Sequence, residues 1–509
     1  MERDAVRAQL GQAVHRLDGV QGGTGRDTKR VRTGPAHSPE AEGELVSRGG
    51  GNSHDASLHS VAASYGTFSL SLELYKRDYA RVNSERARVG RPRYQSEEKA
   101  MASTAAATAP SEAASPGNMA DVRRNNLALV LARVAQAPAG MNPTRAQVAA
   151  ATGLTKASVS SIVLDLLGAG LLREVGLSRQ GERGRPGVGL ELNPARGVMG
   201  LEINVDYIAA GVTDLSGSLV VQEIRERDNR DSASEPVLSA LAALAAEVRK
   251  AAAASGVEVL GAGLAVPGLV EAGTSTVRTA PNLGWKDTKL DMERLLPGVP
   301  LGVSLFNEAN AAALAELAHG SHGTRDFLFV SGEVGVGGGL VINSELFTGP
   351  EGNAGEVGHI VVQPEGALCS CGGTGCLETI AGQDAIFSAA GIPAKGRSRS
   401  ESMSDLLGAL GAGDQAALLA VRRAGRALGV AVASTSRVVD VRAVVLGGHF
   451  AVLDQWLRGP LLESLAKYAP GALSPGHVTT SAVGDAGALL GAAGSVVRAL
   501  VEAPHRLQS

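Results

Sequence analysis

Hydrophobic positions recur with helical spacing between residues 121 and 168 and predict three short helices. The first segment reads VRRNNLALVLARVAQ, and the second, TRAQVAAAT, follows Pro143 and ends at Gly153. The third, KASVSSIVLDLLGAG, begins after Thr155, whose side chain suits a helix N-cap. Two helices joined by a tight turn with a glycine predict a helix-turn-helix. The inward stripes of the first and third helices are Leu127, Val130, Leu131 and Val134, then Val159, Ile162, Val163, Leu166 and Leu167.

A strand-like pattern follows these helices. Residues 171–175 and 188–192 predict the two strands of a hairpin with a glycine-rich, arginine-bearing tip, similar to the wing of a winged helix. Arginines in such a tip can bind DNA phosphates or enter a narrow minor groove, and small side chains on the third helix let it enter a major groove. The alternative is a trihelical protein-interaction module with a solvated basic loop. The predicted DNA contacts are Thr155, Lys156, Ser158, Ser161, Arg179, Arg183 and Arg185.

From Gly197 onward, short β-type runs alternate with alanine-rich helical segments, as expected of α/β domains. VMGLEINVDYIAAGVTDLSGSLV predicts a β-hairpin and a third strand. EPVLSALAALAAEVRKAAAAS predicts a long helix, and VLGAGLAVPGLV predicts a buried strand that leads into a Pro-Gly turn.

Residues 1–118 differ from the rest of the chain. They mix charged residues with Gly, Ser and Pro without a period, which favours disorder, and residues 101–117 have the composition of a linker. One piece, Tyr65 to Tyr75, alternates apolar with polar residues and predicts an isolated strand. We assign this extension no function.

Composition and charge narrow the class of protein. The formal net charge of −3 argues against a uniformly basic surface, so nucleic-acid binding would need a local patch. The chain has no run of eighteen apolar residues and no apolar segment typical of a secretion signal at its N-terminus. We therefore expect a cytoplasmic protein without a membrane contact.

All three cysteines of the chain lie within one short segment. Cys369, Cys371 and Cys376 follow His359 in HIVVQPEGALCSCGGTGCLE, and the glycines between them allow tight turns. Three thiolates and one imidazole complete a tetrahedral zinc shell with no position left for water. The segment therefore predicts a structural zinc site. The alternative is three unrelated thiols beside a surface histidine.

The segment forms a motif: a histidine, nine intervening residues, and then C-x-C-G-x-x-G-C-x-E. This motif resembles the signature of the ROK family (repressors, open reading frames and sugar kinases). The resemblance runs from about residue 120 to about residue 500. It implies an α/β fold in which a winged helix-turn-helix (119–193) precedes a two-lobed actin-like, sugar-kinase (ribonuclease H-like) ATPase fold (197–502). The zinc loop spans residues 359–378, and residues 1–118 form the disordered extension. Among the family, the chain is similar to repressors that respond to xylose or N-acetylglucosamine.

The chain departs from the kinases of this family at the nucleotide-binding turns. An Asp-x-Gly-Gly-Thr phosphate turn is expected after the first strand, but Glu202, Asn204, Val205 and Asp206 stand in the corresponding positions. A Val side chain blocks the close backbone approach that glycine gives a phosphate, and Asp206 adds negative charge. A second glycine-rich turn, SGEVGVGGGL, is better kept, whereas the adenosine-side motif Leu446-Gly447-Gly448 is only partly kept. We therefore expect no ATP binding.

The position of the kinase base also differs. Family kinases carry an aspartate that takes the proton from the sugar hydroxyl, and this chain has Glu308 there, within FNEANAAALAE. A displacement on the order of 1 Å can cost roughly a hundredfold in rate. No residue is therefore assigned a catalytic role.

The sugar contacts of the family match better. A polyol needs both donors and acceptors, which amides and carboxylates supply. His359 can hold zinc with one ring nitrogen and offer the other to the sugar. Gly268 matches a backbone contact. The predicted sugar-binding residues are Asn282, Asn307, Glu308, Glu356, His359 and Glu378.

These features predict a sugar-responsive transcriptional regulator, with repression as its mode, that binds a double-stranded DNA operator as a homodimer or homotetramer. Kinase activity is expected to be lost. One alternative is an active, ATP-dependent sugar kinase with a DNA-binding head. Another is a zinc-stabilised sugar-binding protein whose winged helix contacts other proteins.

Overall fold

The computed structural model of the chain describes residues 119–138, 140–178, 187–271, 273–394 and 397–507. The predictions made for residues 1–118, including the linker and the strand at Tyr65 to Tyr75, lie outside these ranges.

The first described unit, which we call the head, contains three helices and a two-stranded antiparallel hairpin. A capping box formed by Thr144 and Gln147 begins the second helix, and Gly153, with φ 74°, ends it. Thr155 accepts a 3.1 Å hydrogen bond from the amide of Ser158, which makes it the N-cap predicted from the sequence. The elements are α1 (Met119–Ala135), α2 (Arg145–Thr152), α3 (Lys156–Gly168), β1 (Leu172–Ser178) and β2 (Gly187–Leu192).

The hydrophobic core of the head continues into the next part of the chain. The predicted apolar stripes of α1 and α3 are buried, except that Leu167 is half-buried. Leu215, Leu260 and Leu500 belong to the same apolar cluster as these stripes. The head is thus held by side chains from distant parts of the sequence, down to the last long helix.

The first lobe contains a five-stranded mixed sheet with the order β10-β6-β3-β4-β5. Strands β3, β4 and β5 form an antiparallel meander, as the sequence predicts, and β6 and β10 add in parallel on the other side of β3. A small sheet, β7-β8-β9, follows the Pro-Gly turn. The elements are β3 (Arg196–Ile203), β4 (Tyr207–Asp214), β5 (Leu219–Glu226), α4 (Ser234–Ala254), β6 (Glu258–Val266), β7 (Leu269–Val270), β8 (Thr276–Ala280), β9 (Trp285–Lys289), α5 (Met292–Leu295) and β10 (Val303–Asn307).

The second lobe repeats this topology. Its sheet has the order β13-β12-β11-β14-β15, with an antiparallel meander on one side and parallel strands β14 and β15 on the other. The elements are α6 (Glu308–His319), β11 (Phe327–Gly332), β12 (Val336–Ile342), β13 (Glu345–Phe347), α7 (Glu378–Ala381), α8 (Gln383–Ala389), α9 (Arg399–Gly411), α10 (Gln415–Val439), β14 (Ala443–Gly447), α11 (Gly448–Val452), α12 (Asp454–Tyr468), β15 (Val478–Thr480) and α13 (Gly487–Glu502).

Helices α6 and α13 pack together between the two sheets. Glycines bring their backbones unusually close to their neighbours. A β-carbon on Gly200 or Gly263 would overlap a carbonyl oxygen of α13, from Leu489 or Ala492 respectively. A β-carbon on Gly491 would overlap the carbonyl oxygen of Ala311 in α6. We call these three positions the glycine seam. Because no side chain separates the layers, α13 lies directly on the first sheet.

Within the described residues, Gly484–Glu502 is the single helical segment that is long and apolar enough to cross a membrane. Helices α2 and α3 together would also be long and apolar enough, but they are bent by 116° relative to each other. Half of the most apolar part of Gly484–Glu502 is buried inside the protein. That burial is typical of a core helix.

Glu316, an acidic residue within α6, is buried, at 1% exposure. Its carboxylate accepts hydrogen bonds from the hydroxyl of Ser481 and, over 3.2 Å, from the amide of Val483. The carboxylate therefore joins α6 to the loop that precedes α13.

Candidate functional site

A cavity between the lobes brings the predicted sugar-binding residues together. We call it the interlobe cavity. The turns that end β3, β6, β10 and β11 contribute to its walls, together with the start of α6 and the segment before α13. Gly268 of the Pro-Gly turn also lines it. The predicted residues along its wall are Asn282, Asn307, Glu308, Glu356, His359 and Glu378.

Asn307 is held at the junction between β10 and α6. Its side-chain oxygen accepts a 2.9 Å hydrogen bond from the amide of Asn310 and so caps α6. Its side-chain nitrogen donates to the carbonyl of Gly268 over 2.7 Å. The amide thereby fixes both the Pro-Gly turn and the helix start, and it directs Glu308 into the cavity.

Two carboxyl groups of the first lobe form an acidic pair on the cavity wall. Glu308 accepts a 2.6 Å hydrogen bond from the side-chain nitrogen of Asn204, and Glu202 accepts one of 2.6 Å from the hydroxyl of Tyr207. Burial raises the pKa of Glu202 to about 8, with a further contribution from the charge of Glu308. Burial also raises the pKa of Glu308 to about 7, against the opposing effect of the Asn204 hydrogen bond. Near neutral pH the pair therefore retains protons and can both donate and accept hydrogen bonds.

The turn after β3 carries Val205 and Asp206, the two residues that depart from the phosphate turn of the kinases, and they lie in different surroundings. Val205 lines the cavity, is 3% exposed and packs in the apolar core of the first lobe. Asp206 does not line the cavity. It pairs instead with Arg230 and, over 2.8 Å, with Arg399. Its negative charge is thus neutralised locally.

The glycine-rich turn between β11 and β12 carries Glu333, which also lines the cavity. Burial raises the pKa of Glu333 well above its ordinary range, and the charges of Glu308 and Glu202 add to this. Glu333 is the charged residue of SGEVGVGGGL, but the family motif consists of the glycines beside it, and the sequence alone therefore gives Glu333 no role. His449 directly follows the Leu446-Gly447-Gly448 motif. Burial lowers the pKa of His449 to about 4, and its imidazole contacts the carbonyl of Ala381 over 2.9 Å.

The four predicted metal ligands form one cluster. The Nδ1 of His359 and the three sulfurs, Cys369, Cys371 and Cys376, all lie within 4.8 Å of one another. The Cys371 and Cys376 sulfurs are 3.8 Å apart, and His359 Nδ1 lies 3.7 Å from the Cys369 sulfur. Zinc–sulfur bonds of about 2.3 Å in a tetrahedron place sulfurs about 3.8 Å apart. The donor set and its spacing therefore fit a metal ion.

Two glycines of this loop adopt left-handed backbone conformations, which residues with side chains rarely adopt. Gly372 and Gly375 have φ values of 88° and 75°. A β-carbon on Gly375 would overlap the carbonyl oxygen of Gln363. The amide of Gly373 donates to the Cys371 sulfur over 3.4 Å, as is common around bound thiolates.

The metal cluster adjoins the interlobe cavity through two carboxylates. The Nε2 of His359, the nitrogen that faces away from the sulfurs, lies 3.8 Å from a Glu356 oxygen. Glu378 accepts a 3.0 Å hydrogen bond from the amide of Val336 and a 3.3 Å one from Ser370. The loop is therefore tied to the glycine-rich turn and to the cavity wall.

The predicted DNA contacts that can be located lie at the N-cap and in the first half of α3. Thr155, Lys156 and Ser161 are exposed, and Ser158, whose hydroxyl contacts that of Thr155 over 2.9 Å, is half-exposed. Arg179, Arg183 and Arg185 lie outside the described residues.

Two facing lobes of the same topology, with a cavity between them and helices at their junction, define the actin-like sugar-kinase fold. A sequence profile of the ROK family matches residues 198–498, and the chain belongs to that family.

Its relatives include both repressors and kinases. A xylose repressor of Bacillus subtilis (strain 168) is 30% identical over 307 residues, which cover 60% of this chain and 77% of that protein. A xylose repressor of Caldicellulosiruptor bescii is 34% identical over 247 residues, 48% of this chain and 61% of that protein. A glucokinase of Halalkalibacterium halodurans is 34% identical over 225 residues, 42% of this chain and 68% of that protein.

A solved structure supports the fold. The crystal structure of a ROK family transcriptional regulator, a homologue of the E. coli MLC protein, aligns with a TM-score of 0.63 at 24% identity. It covers 76% of this chain and all of that one.

Proposed function

We propose that the protein is a DNA-binding transcriptional repressor whose affinity for its operator is set by a sugar or sugar derivative in the interlobe cavity. The observation that carries this proposal is the composition of that cavity. Its walls offer amides and carboxyl groups suited to hydroxyls, while Val205 and Glu333 stand at the turns that would hold phosphates. The xylose repressors among the relatives support the same conclusion.

In this proposal the six residues on the cavity wall contact the sugar. Carboxylates accept hydrogen bonds from hydroxyls, amides do both, and a protonated Glu308 can donate. His359 would use Nδ1 for the metal and offer Nε2 to a hydroxyl, since Nε2 faces Glu356 and the cavity. The backbone of Gly268 would lie beside the sugar.

We assign zinc to the cluster of His359, Cys369, Cys371 and Cys376. Four protein ligands leave no open coordination position, so its contribution is structural. It would hold the loop and orient the His359 ring and the nearby Glu378 toward the ligand.

The head, with residues 119–193 as its predicted extent, would act as a winged helix-turn-helix. Its exposed α3 face would enter the major groove, with Thr155, Lys156, Ser158 and Ser161 at the bases or phosphates. The arginine-bearing tip would reach the flanking backbone. A palindromic operator implies two heads, and hence a homodimer or homotetramer. Such a protein acts in the cytoplasm, where the operator is.

Helices α6 and α13 provide a physical connection between sugar and DNA. Glu308 begins α6 and Gly487 begins α13, and both line the interlobe cavity. The far end of α13 places Leu500 in the core of the head. Closure of the lobes around a sugar would therefore shift the head, provided that the sugar binds the closed state more tightly than the open one.

The test is a titration of the purified full-length protein with labelled DNA from upstream of its own and adjacent transcription units, followed by fluorescence anisotropy. We expect sequence-preferring binding that weakens steeply with salt, and a change in affinity on addition of one member of a monosaccharide panel. Equal, weak binding to all fragments would contradict the proposal and favour a head that contacts proteins.

One observation favours a sugar kinase as the second candidate. The pKa of Glu308 near 7 suits a general base at neutral pH, and a glucokinase is among the relatives. A coupled assay of ADP release with the same sugar panel distinguishes the two, since a repressor should show no sugar-dependent turnover.

A further inference from the structure

The side chain of Glu333 fills a gap that a phosphate-binding site would leave open. A β-carbon on Gly448 would lie 2.6 Å from the Oε1 of Glu333 and would overlap the carbonyl oxygen of Gly332. The Glu333 carboxylate is therefore packed against the first residue of α11, directly after the Leu446-Gly447-Gly448 motif. It lies between the two glycine-rich turns of the second lobe.

The charge of the cavity reinforces this arrangement. Six carboxyl groups line it, and among the described lining residues none is Lys or Arg. The guanidinium groups of Arg230 and Arg399, at the turn after β3, are both paired with Asp206. A bound phosphate would thus find no compensating cation in the lining, and each neighbouring carboxyl group that loses its proton would repel it. The six are Glu202, Glu308, Glu333, Glu356, Glu378 and Asp485.

The position of Glu308 indicates which ligands this affects. In the kinase geometry that the family resemblance implies, the hydroxyl beside the base position receives the phosphoryl group. The phosphate of a phosphorylated sugar would then lie between Glu308 and the turn that carries Glu333. An uncharged sugar places only a hydroxyl there, and a carboxylate accepts its hydrogen bond.

We propose that Glu333 determines ligand specificity: it closes the interlobe cavity to phosphate groups, so that the ligand is an uncharged sugar and both sugar phosphates and nucleotides are rejected. This rests on the proposed function only in taking a sugar as the ligand. The exclusion of phosphates is a property of the cavity itself, and it can be measured without knowing the sugar.

The experiment uses the full chain and two variants, Glu333→Gln, which keeps the size of the side chain but cannot ionise, and Glu333→Ala, which opens the space. Glu345→Gln is the matched control, because Glu345 is exposed on β13 and does not line the cavity. Titration calorimetry measures binding of MgADP, inorganic pyrophosphate, glucose 6-phosphate, glucose and xylose.

We expect the wild-type protein and Glu345→Gln to bind none of the three phosphate compounds measurably. Glu333→Ala should bind at least one of them about tenfold or more tightly than the detection limit, and Glu333→Gln, which keeps a side chain in the gap, should bind it no more tightly than Glu333→Ala. Tight binding of any of the three to the wild-type protein would overturn the proposal, and so would the absence of a gain in both folded variants. Failure of the wild-type protein to bind any uncharged sugar, with the phosphate gain still present, would count against the proposed function and leave the exclusion by Glu333 supported.

Discussion

The side-chain nitrogen of Asn204 donates a 2.6 Å hydrogen bond to Glu308, and it thereby joins the turn after β3 to the first residue of α6. We expect Asn204→Ala to leave a buried carboxyl group without its donor, at a cost of about 1–3 kcal/mol in the free energy of unfolding. The affinity for the sugar should fall as well, because Glu308 would lose its fixed position. Urea denaturation and ligand titration measure the two effects. Gln415→Ala, at an exposed site at the start of α10, should change neither.

The metal cluster predicts that zinc binding depends strongly on Cys376. Cys376→Ser should abolish the retention of one zinc per chain, lower the melting temperature, and weaken sugar binding because His359 loses its anchor. Elemental analysis and a thermal melt provide the measurements. Thr374→Ala, in the same loop, should keep its zinc. A Cys376→Ser protein that retains a full equivalent of zinc would contradict the assignment.

The acidic pair predicts that stability depends on pH. The folded-state pKa values of Glu202 and Glu308, about 8 and about 7, lie above the ordinary value of 4.5. Since the folded state holds these protons more tightly, their stabilising contribution is complete below about pH 4.5 and is lost as pH rises through 7 to 8. We expect the wild-type melting temperature to fall across that window more than that of Glu202→Gln. Glu345→Gln should follow the wild-type curve, and identical curves for all three would refute the prediction.

The exposed face of α3 predicts a defined effect on DNA binding. Lys156→Ala should weaken binding to all sequences and reduce the slope of log affinity against log salt by about 1, if Lys156 contacts one phosphate. Anisotropy titrations at several salt concentrations provide the slope. Lys250→Ala, at an exposed position on α4, is the control. An unchanged slope would show that Lys156 does not contact a phosphate.

The glycine seam predicts opposite effects for two glycines of one helix. A β-carbon on Gly491 would overlap the carbonyl of Ala311, whereas one on Gly494 would meet nothing within 4 Å. Gly491→Ala should therefore destabilise the protein by about 1–3 kcal/mol through overpacking, while Gly494→Ala should stabilise it by about 0.5–1 kcal/mol. Chemical denaturation of both variants tests this, and equal effects would show that the helices are not in close contact.

Local patterns in the sequence predicted the parts of the fold that depend on short spacing. Thr155 caps α3 because its hydroxyl is three residues from Ser158, and the metal cluster needs only one loop and His359. The predicted sugar-binding residues line one cavity, and the family motifs had indicated their positions. Each of these relationships is encoded within a few residues or within a motif.

Relationships between distant segments were not predictable in the same way. Glu316 is buried because Ser481 and Val483 approach it, and nothing in its own helix indicates those partners. The pairing of Glu202 with Tyr207 depends on the strand register of β3 and β4. Likewise, the packing of Glu333 against Gly448 joins positions more than a hundred residues apart, and the segment around Glu333 does not indicate it.

The glycine seam also limits how α13 can move. Turning the helix about its axis would swing side chains into the strands at Gly200 and Gly263, where only bare backbone fits. The residues one turn away from Gly491 on α13, Gly487 and Ser495, are also small, so a shift along the axis should meet less resistance than a rotation. A displacement of Gly487 would therefore reach Leu500 as a translation of α13 along its own axis. The size of that translation would be limited by the point at which the next bulky residue of the helix meets the sheet.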